Sequence, residues 1–187
     1  MSIGSTQIPP SLRVTFCMAE LRQLAGVELA AELERLASLL VACVDAGASI
    51  GFLRPLDLQS AQGFWRGVLQ SEQRGERLVF GAYHDAKLCG SVQLVLAQMP
   101  NQPHRADISK LIVDPDMRRQ GLARGLMELA EASALKLGRH LLTLDTATED
   151  AAALYRSLGY QFSGRIPDYA LNPDGVPEAT EIYYKRL

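Results

Sequence analysis

An α/β (α+β) fold, one mixed sheet with helices on both faces, is predicted by three features of this sequence. The second half holds two successive units of strand, helix and strand; the first half holds a meander of apolar runs; and no linker, repeat or low-complexity tract separates them. A chain of 187 residues is also within the range of one domain, so a single unit over residues 1–187 is expected.

The elements follow in order. Leu12 to Cys17 is short, β-branched and aromatic, consistent with a first strand. Leu29, Leu33, Leu36, Leu40 and Cys43 recur at helical spacing, which predicts a helix from about Val27 to Ala46 closing at Gly47. A second helix is predicted from near Asp57, as its cap, to Gln73, with Phe64, Val68 and Leu69 on one side. Two apolar runs around a polar turn at Asp85 read as a hairpin. Ala106 to Val113 reads as a strand leading into a helix with Leu122, Leu126, Leu129, Ala130, Ala134 and Leu137 on its core face, ending at Gly138. His140 to Asp145 is a further strand, Thr148 to Gly159 a short helix, and Thr180 to Leu187 a last strand after a turn-rich stretch.

Composition excludes several classes. Hydrophobic residues at 48% and charged residues at 21% are ordinary for a folded globular chain, and no uninterrupted apolar run reaches the ~18 residues of a membrane span. With 19 Lys and Arg against 21 Asp and Glu, broad attraction to nucleic acid or anionic lipid is not supported. Cys17, Cys43 and Cys89 are far apart and lack metal-ligand spacing, so reduced, buried thiols and no metal are expected. The first 17 residues lack a charged segment followed by an apolar one, and the expected location is cytoplasmic.

The informative segment follows Asp114. Arg118, Arg119 and Arg124 crowd the start of a helix, where the backbone dipole is already positive and cations are disfavoured without a partner. Gly121 lets the backbone approach a ligand, and the amides from Arg119 to Arg124 would form a concave array of donors for a diphosphate. The segment is neither a P-loop nor the dinucleotide fingerprint, because neither glycine spacing is present. A solvated basic helix face is the alternative reading of the run alone.

Arg118, Arg119, Gln120, Gly121, Leu122 and Ala123 resemble the R/Q-x-x-G-x-G/A segment of the GNAT superfamily of N-acetyltransferases. Leu154, Tyr155, Gly159 and Tyr160 stand at the marked places of its second motif. More narrowly, the stretches 47–52, 99–113 and 166–175 resemble the branch containing the tabtoxin resistance acetyltransferase. The resemblance implies a GNAT-like sheet of about seven strands splayed at the centre. It implies acetyl-CoA as co-substrate, its pyrophosphate on the amides of Arg119 to Arg124 and its pantetheine lying like an extra strand against Leu111, Ile112 and Val113. Thr148 stands where the family often has Asn; its hydroxyl can cap a helix, but an Asn contact to pantetheine is put in doubt.

The implied chemistry requires a neutral amine. An alkylamine with pKa ~10.4 is neutral in only about one part in ~10³ at pH 7, so deprotonation costs ~4–5 kcal/mol without help. Tyr155 occupies the family's general-acid position, with a core aromatic as its other reading. Two carboxylates compete as base: Asp107, where several family members carry a catalytic Glu, and Asp145, at the end of the neighbouring strand. Their plainer readings are an ion pair of Asp107 with Lys110 and a helix cap by Asp145. His104, His84 and His140 read as a solvated loop residue and two structural ones, and Trp65 with Phe64 as core.

In the family, the first two helices and the last hairpin overhang the acceptor side. Small residues in 47–55 leave room for a compact amine, with Asp57, Asp168 and Asp174 as partners for its ammonium group. The expectation is an acetyltransferase for a small amino-acid-like amine, a toxin or antibiotic among them, working as a monomer or homodimer without nucleic acid or membrane partners. A protein lysine or N-terminal acetyltransferase, and a non-catalytic acyl-CoA-binding module, are the alternatives.

Overall fold

The computed structural model describes residues 13–16 and 19–187. Its elements are β1 (Arg13–Phe16), β2 (Ala19–Leu24), α1 (Gly26–Ala31), α2 (Leu33–Asp45), α3 (Leu58–Gln73), β3 (Arg77–His84), β4 (Lys87–Leu96) and β5 (Arg105–Val113). After a 3-10 turn at Pro115–Met117 come α4 (Leu122–Lys136), β6 (Leu141–Thr146), α5 (Glu149–Ser157), β7 (Gln161–Leu171) and β8 (Pro177–Arg186). Among the described residues the strands form one sheet of eight, in the order β1-β2-β3-β4-β5-β6-β8-β7. Only the β5–β6 pair is parallel within it. The mixed sheet expected from the sequence is therefore present, with one strand beyond the seven.

Two cores clad the sheet. On one face α4 and α5 pack against Phe80, Ile108, Leu142 and Tyr183; on the other α1, α2 and α3 enclose Trp65, Val79 and Ile112. Trp65 and Phe80 are wholly buried, so the reading of Trp65 as core holds. Asp57 caps α3, its side chain accepting a hydrogen bond from the Ser60 amide at 2.8 Å. The hairpin turn at Asp85 and Ala86 takes two left-handed residues, which matches the right-handed twist of the strands it joins.

Three differences from the sequence reading have physical causes. The long first helix is two, broken at Glu32, whose carboxylate accepts a hydrogen bond from the Tyr83 hydroxyl at 3.0 Å. The leucine spacing runs in phase across the break and conceals it. β2 was not expected: its alternation of buried Ala19 and Leu21 with partly buried neighbours is short and mostly polar. β7 includes residues that read as turns. It is an exposed edge strand, and Pro167 and Asp168 stand in an irregularity of its pairing with β8, between Ile166 and Ala170. Of the first predicted strand, Arg13–Phe16 is a strand, and Leu12 and Cys17 lie outside the described residues.

One pairing positions the site. β5 and β6 are in register only from Arg105–Leu141 to Asp107–Thr143, after which the strands part. Beyond Asp107 the β6-facing edge of β5 carries no strand, and the expected central splay is present. On its other edge β5 takes one extra residue opposite β4 around Lys110, whose φ is +50°. Ala106 and Ile108 face the α4 side; beyond the bulge Leu111 and Val113 do so, while Ile112 turns to the α2 side.

Candidate active site

The splay opens into a cavity of about 320 Å³. Its floor comes from Ile108 to Leu111 on β5, one wall from Asp145, Thr148 and Tyr155, and its roof from residues 48–51 and the β7–β8 hairpin. The roof is tied together. The Arg54 amide donates to the Pro173 carbonyl at 2.8 Å, and the Arg54 guanidinium holds Asp174 at 2.7 Å and the Asp45 carbonyl at 3.2 Å. The two segments expected to overhang an acceptor thus meet, while Asp174 is engaged by Arg54 and Asp57 by Ser60. Neither of these carboxylates lines the cavity; Asp168 is exposed on β7 and does not line it either.

The start of α4 follows β5, whose residues 108–111 line this cavity, after the 3-10 turn. Gly121 is its cap, with φ +82°, a conformation costly for residues with a side chain, and a Cβ added there would meet nothing within 4 Å. The Gly125 amide, bonded to the Gly121 carbonyl at 3.0 Å, is the first of the helix to find a backbone partner. The amides of Leu122, Ala123 and Arg124 consequently have no backbone acceptor among the described residues. Arg118, Arg119 and Gln120 are exposed around them, and Arg119 takes a left-handed φ of +61°. Arg124 is turned to Ser157 at 2.6 Å, and the Arg118 guanidinium approaches the Cys43 thiol. Free amides, a dipole end and guanidinium groups suit a polyanion.

Tyr155 lines the cavity and is 6% exposed; its ring packs 5.8 Å from that of Tyr160 and 6.4 Å from that of Tyr183. The reading of Tyr155 as a core aromatic holds, and the same residue reaches the cavity. Burial, with the Asp145 charge adding to it, pushes its hydroxyl pKa up to about 12, so it stays protonated at neutral pH. Tyr83 is likewise raised to about 12, chiefly by burial. Because unfolded tyrosines ionise near pH 10, this stability is intact below pH 10 and is lost as pH rises toward 12. Urea melts between pH 9 and 12 are expected to show that decline, and Tyr155→Phe should reduce it.

The two candidate bases are separated by their surroundings. Asp107 faces away from the cavity, its carboxylate taken by Arg105 at 3.0 Å and by the Thr143 hydroxyl. The ion pair considered for it with Lys110 is replaced by one with Arg105. Asp145 lines the cavity, accepts one hydrogen bond from the Thr180 hydroxyl at 3.0 Å, and acts electrostatically on both Tyr155 and Lys110. Thr148 sits at the start of α5 and lines the cavity, but makes no side-chain cap bond there, against expectation; its amide donates to the Thr146 hydroxyl at 3.3 Å. Leu111 reaches the cavity; Ile112 is buried among α1 to α3, leaving its backbone for any ligand on that edge. His104 and His140 are exposed, and His84 lies beside Asp85 at 3.4 Å, away from the cavity. Sequence reasoning passed over Lys110, Tyr169 and Glu178 as site residues, although all three line the cavity. A lysine on the apolar phase set by Ala106 and Ile108, next to the polar Ser109, was the one signal available.

This geometry has relatives. The acetyltransferase (GNAT) family model matches residues 52–160, which include the α4 turn and the helix that carries Tyr155. The chain belongs to the GNAT family. An N-acetyltransferase from the hisH-hisA intergenic region of Azospirillum brasilense is 35% identical over 54% of this chain, which spans 60% of that relative's length. The [ribosomal protein bS18]-alanine N-acetyltransferase of Escherichia coli is 32% identical over 65% of this chain and 81% of its own. Among solved GNAT-like folds, ribosomal-protein-alanine N-acetyltransferase from Brucella melitensis superposes with a TM-score of 0.75, at 20% identity, covering 89% of this chain and 99% of its own. The structure of yncA from Salmonella typhimurium with its cofactor acetyl-CoA superposes with a TM-score of 0.73, at 17% identity, covering 91% and 94%.

Proposed function

We propose that this GNAT chain moves an acetyl group from acetyl-CoA to the primary amine of a small, amino-acid-like acceptor, toxins and antibiotics of that kind among them. The observation that carries the acceptor class is the roof: a cavity of about 320 Å³, closed over by residues 48–51 and the β7–β8 hairpin and tied by Arg54, suits a compact molecule better than a polypeptide. The free amides of Leu122 to Arg124, with the open space at Gly121 and the exposed Arg118 and Arg119, fit the diphosphate of the coenzyme. The unpaired edge of β5 at Leu111 to Val113 fits an extended pantetheine arm. When bound, acetyl-CoA supplies an acyl carbon activated as a thioester.

The amine nitrogen attacks that carbon and the carbon–sulfur bond breaks. Asp145, directly or through water, takes the proton the amine must lose, since Asp107 is occupied by Arg105 and Thr143. Tyr155 gives its hydroxyl proton to the departing sulfur. Direct transfer is favoured because no side-chain thiol among the described residues lines the cavity.

A second reading, acetylation of a protein N-terminus, is favoured by the names of the E. coli and Brucella relatives. Thiol release from acetyl-CoA with a panel of amino acids, β-lactam amino acids of the tabtoxin kind, aminoglycosides and a peptide beginning with alanine separates the readings. The free small amines are expected to exceed the peptide in kcat/KM by at least about 10-fold. A peptide preferred over every small amine would replace this acceptor, and coenzyme binding without thiol release would make the chain a binding module.

A further inference from the structure

Lys110 has no role in the chemistry above, yet it lies in the same cavity under unusual constraint. Its backbone sits at the β5 bulge with φ +50°, a region that residues with a side chain avoid, which marks a position held for a purpose other than strand formation. Its ammonium group lies 5.9 Å from the ring centres of both Phe52 and Phe64, which are themselves edge to face at 5.2 Å. Gly51 makes this placement possible: a Cβ there would come within 3.3 Å of the ammonium nitrogen.

The two aromatic rings hold the cation without neutralising it. Among the described residues no carboxylate forms an ion pair with it, although eight other lysine or arginine pairs do form. Burial lowers the Lys110 pKa, with the Asp145 charge opposing that effect. A partly buried cation in this state is completed by an anion brought in by a ligand. The same cavity is lined by Asp145 and Glu178, the latter accepting from the Asn172 side chain at 3.2 Å. One cavity thus holds both a cation and carboxylates, the two kinds of group that a zwitterion needs.

We infer that Lys110 is the specificity-determining residue for a carboxylate borne by the same small molecule whose amine is acetylated, so that the acceptor class is zwitterionic. This rests on the acceptor reading above and adds the group that enforces it. A small molecule with its carboxylate against Lys110 keeps its amine within the cavity that Asp145 lines, where deprotonation is required.

The test pairs each free amino acid of the panel with its carboxamide and measures kcat and KM by thiol release, for the wild type, Lys110→Met and Lys110→Arg. Intrinsic amine reactivity cancels when the acid-to-amide ratio of kcat/KM is compared between proteins. Lys110→Met is expected to lower that ratio at least about 10-fold, chiefly by raising KM for the acid, and Lys110→Arg to retain most of it. If Lys110→Met lowers both members of each pair equally, the lysine is structural and the inference fails. If the wild type releases thiol with amides as readily as with acids and the ratio does not move in Lys110→Met, it fails while the small-amine reading survives. Thiol release with no member of any pair would overturn both together.

Discussion

Tyr155→Phe is expected to lower kcat about 10²-fold while leaving the Kd for acetyl-CoA within about twofold, the pattern of a lost proton donor. The substitution removes one oxygen and keeps the ring. Packing against Tyr160 at 5.8 Å and Tyr183 at 6.4 Å should persist, so a fold defect would not account for the loss. A hydroxyl raised to about 12 holds its proton throughout the working range, so the alkaline limb of a pH–rate profile is not expected to come from Tyr155. Pre-steady-state thiol release, with calorimetry for coenzyme affinity, is the measurement. Full turnover in the variant would remove Tyr155 from the mechanism and leave it as a wall of the cavity.

Gly121→Asp is expected to raise the Kd for acetyl-CoA by about 10²-fold, with a smaller effect of Gly121→Ala. Both variants place a side chain at φ +82°, which costs on the order of 1 kcal/mol of strain or a shift of the turn, worth about fivefold. The aspartate also sets a negative charge in the open space before the unpaired amides of Leu122 to Arg124, where a diphosphate would have to sit. The difference between the variants, read by calorimetry at two salt concentrations, isolates the charge; it should shrink at high salt because exposed charges are screened. Equal affinities in wild type and Gly121→Asp would mean that this turn holds no anion.

The parts of the fold written in local periodicity were legible before the structure. α3 begins at its Asp57 cap, α4 buries the leucines at helical spacing, and the hairpin turns at Asp85. What stayed hidden depended on partners distant in the chain. The break at Glu32 is marked by Tyr83, 51 positions away, and the release of Asp145 rather than Asp107 into the cavity depends on Arg105 and Thr143 claiming the latter. Turn chemistry misled at β7, because proline and aspartate suit an edge-strand irregularity as well as a turn. Of the candidate site, the glycine turn with its free amides and the tyrosine that lines the cavity were visible in the sequence. Lys110 was visible only as an odd residue in a strand, since its meaning comes from Phe52, Phe64 and the small residue at Gly51.

The single extra residue in β5 has a consequence for how this protein can vary. Because the strand has one residue more at Lys110 than the β4 ladder needs, removing that residue would leave Leu111 and Val113 toward α4 and Ile112 toward α2 and would make the strand regular. Both hydrophobic layers would then stay composed as they are, and the loss would fall on the cavity, which Lys110 lines. Length at this position is therefore negotiable for folding and not for the site: a protein lacking Lys110 is expected to melt cooperatively with both layers in place.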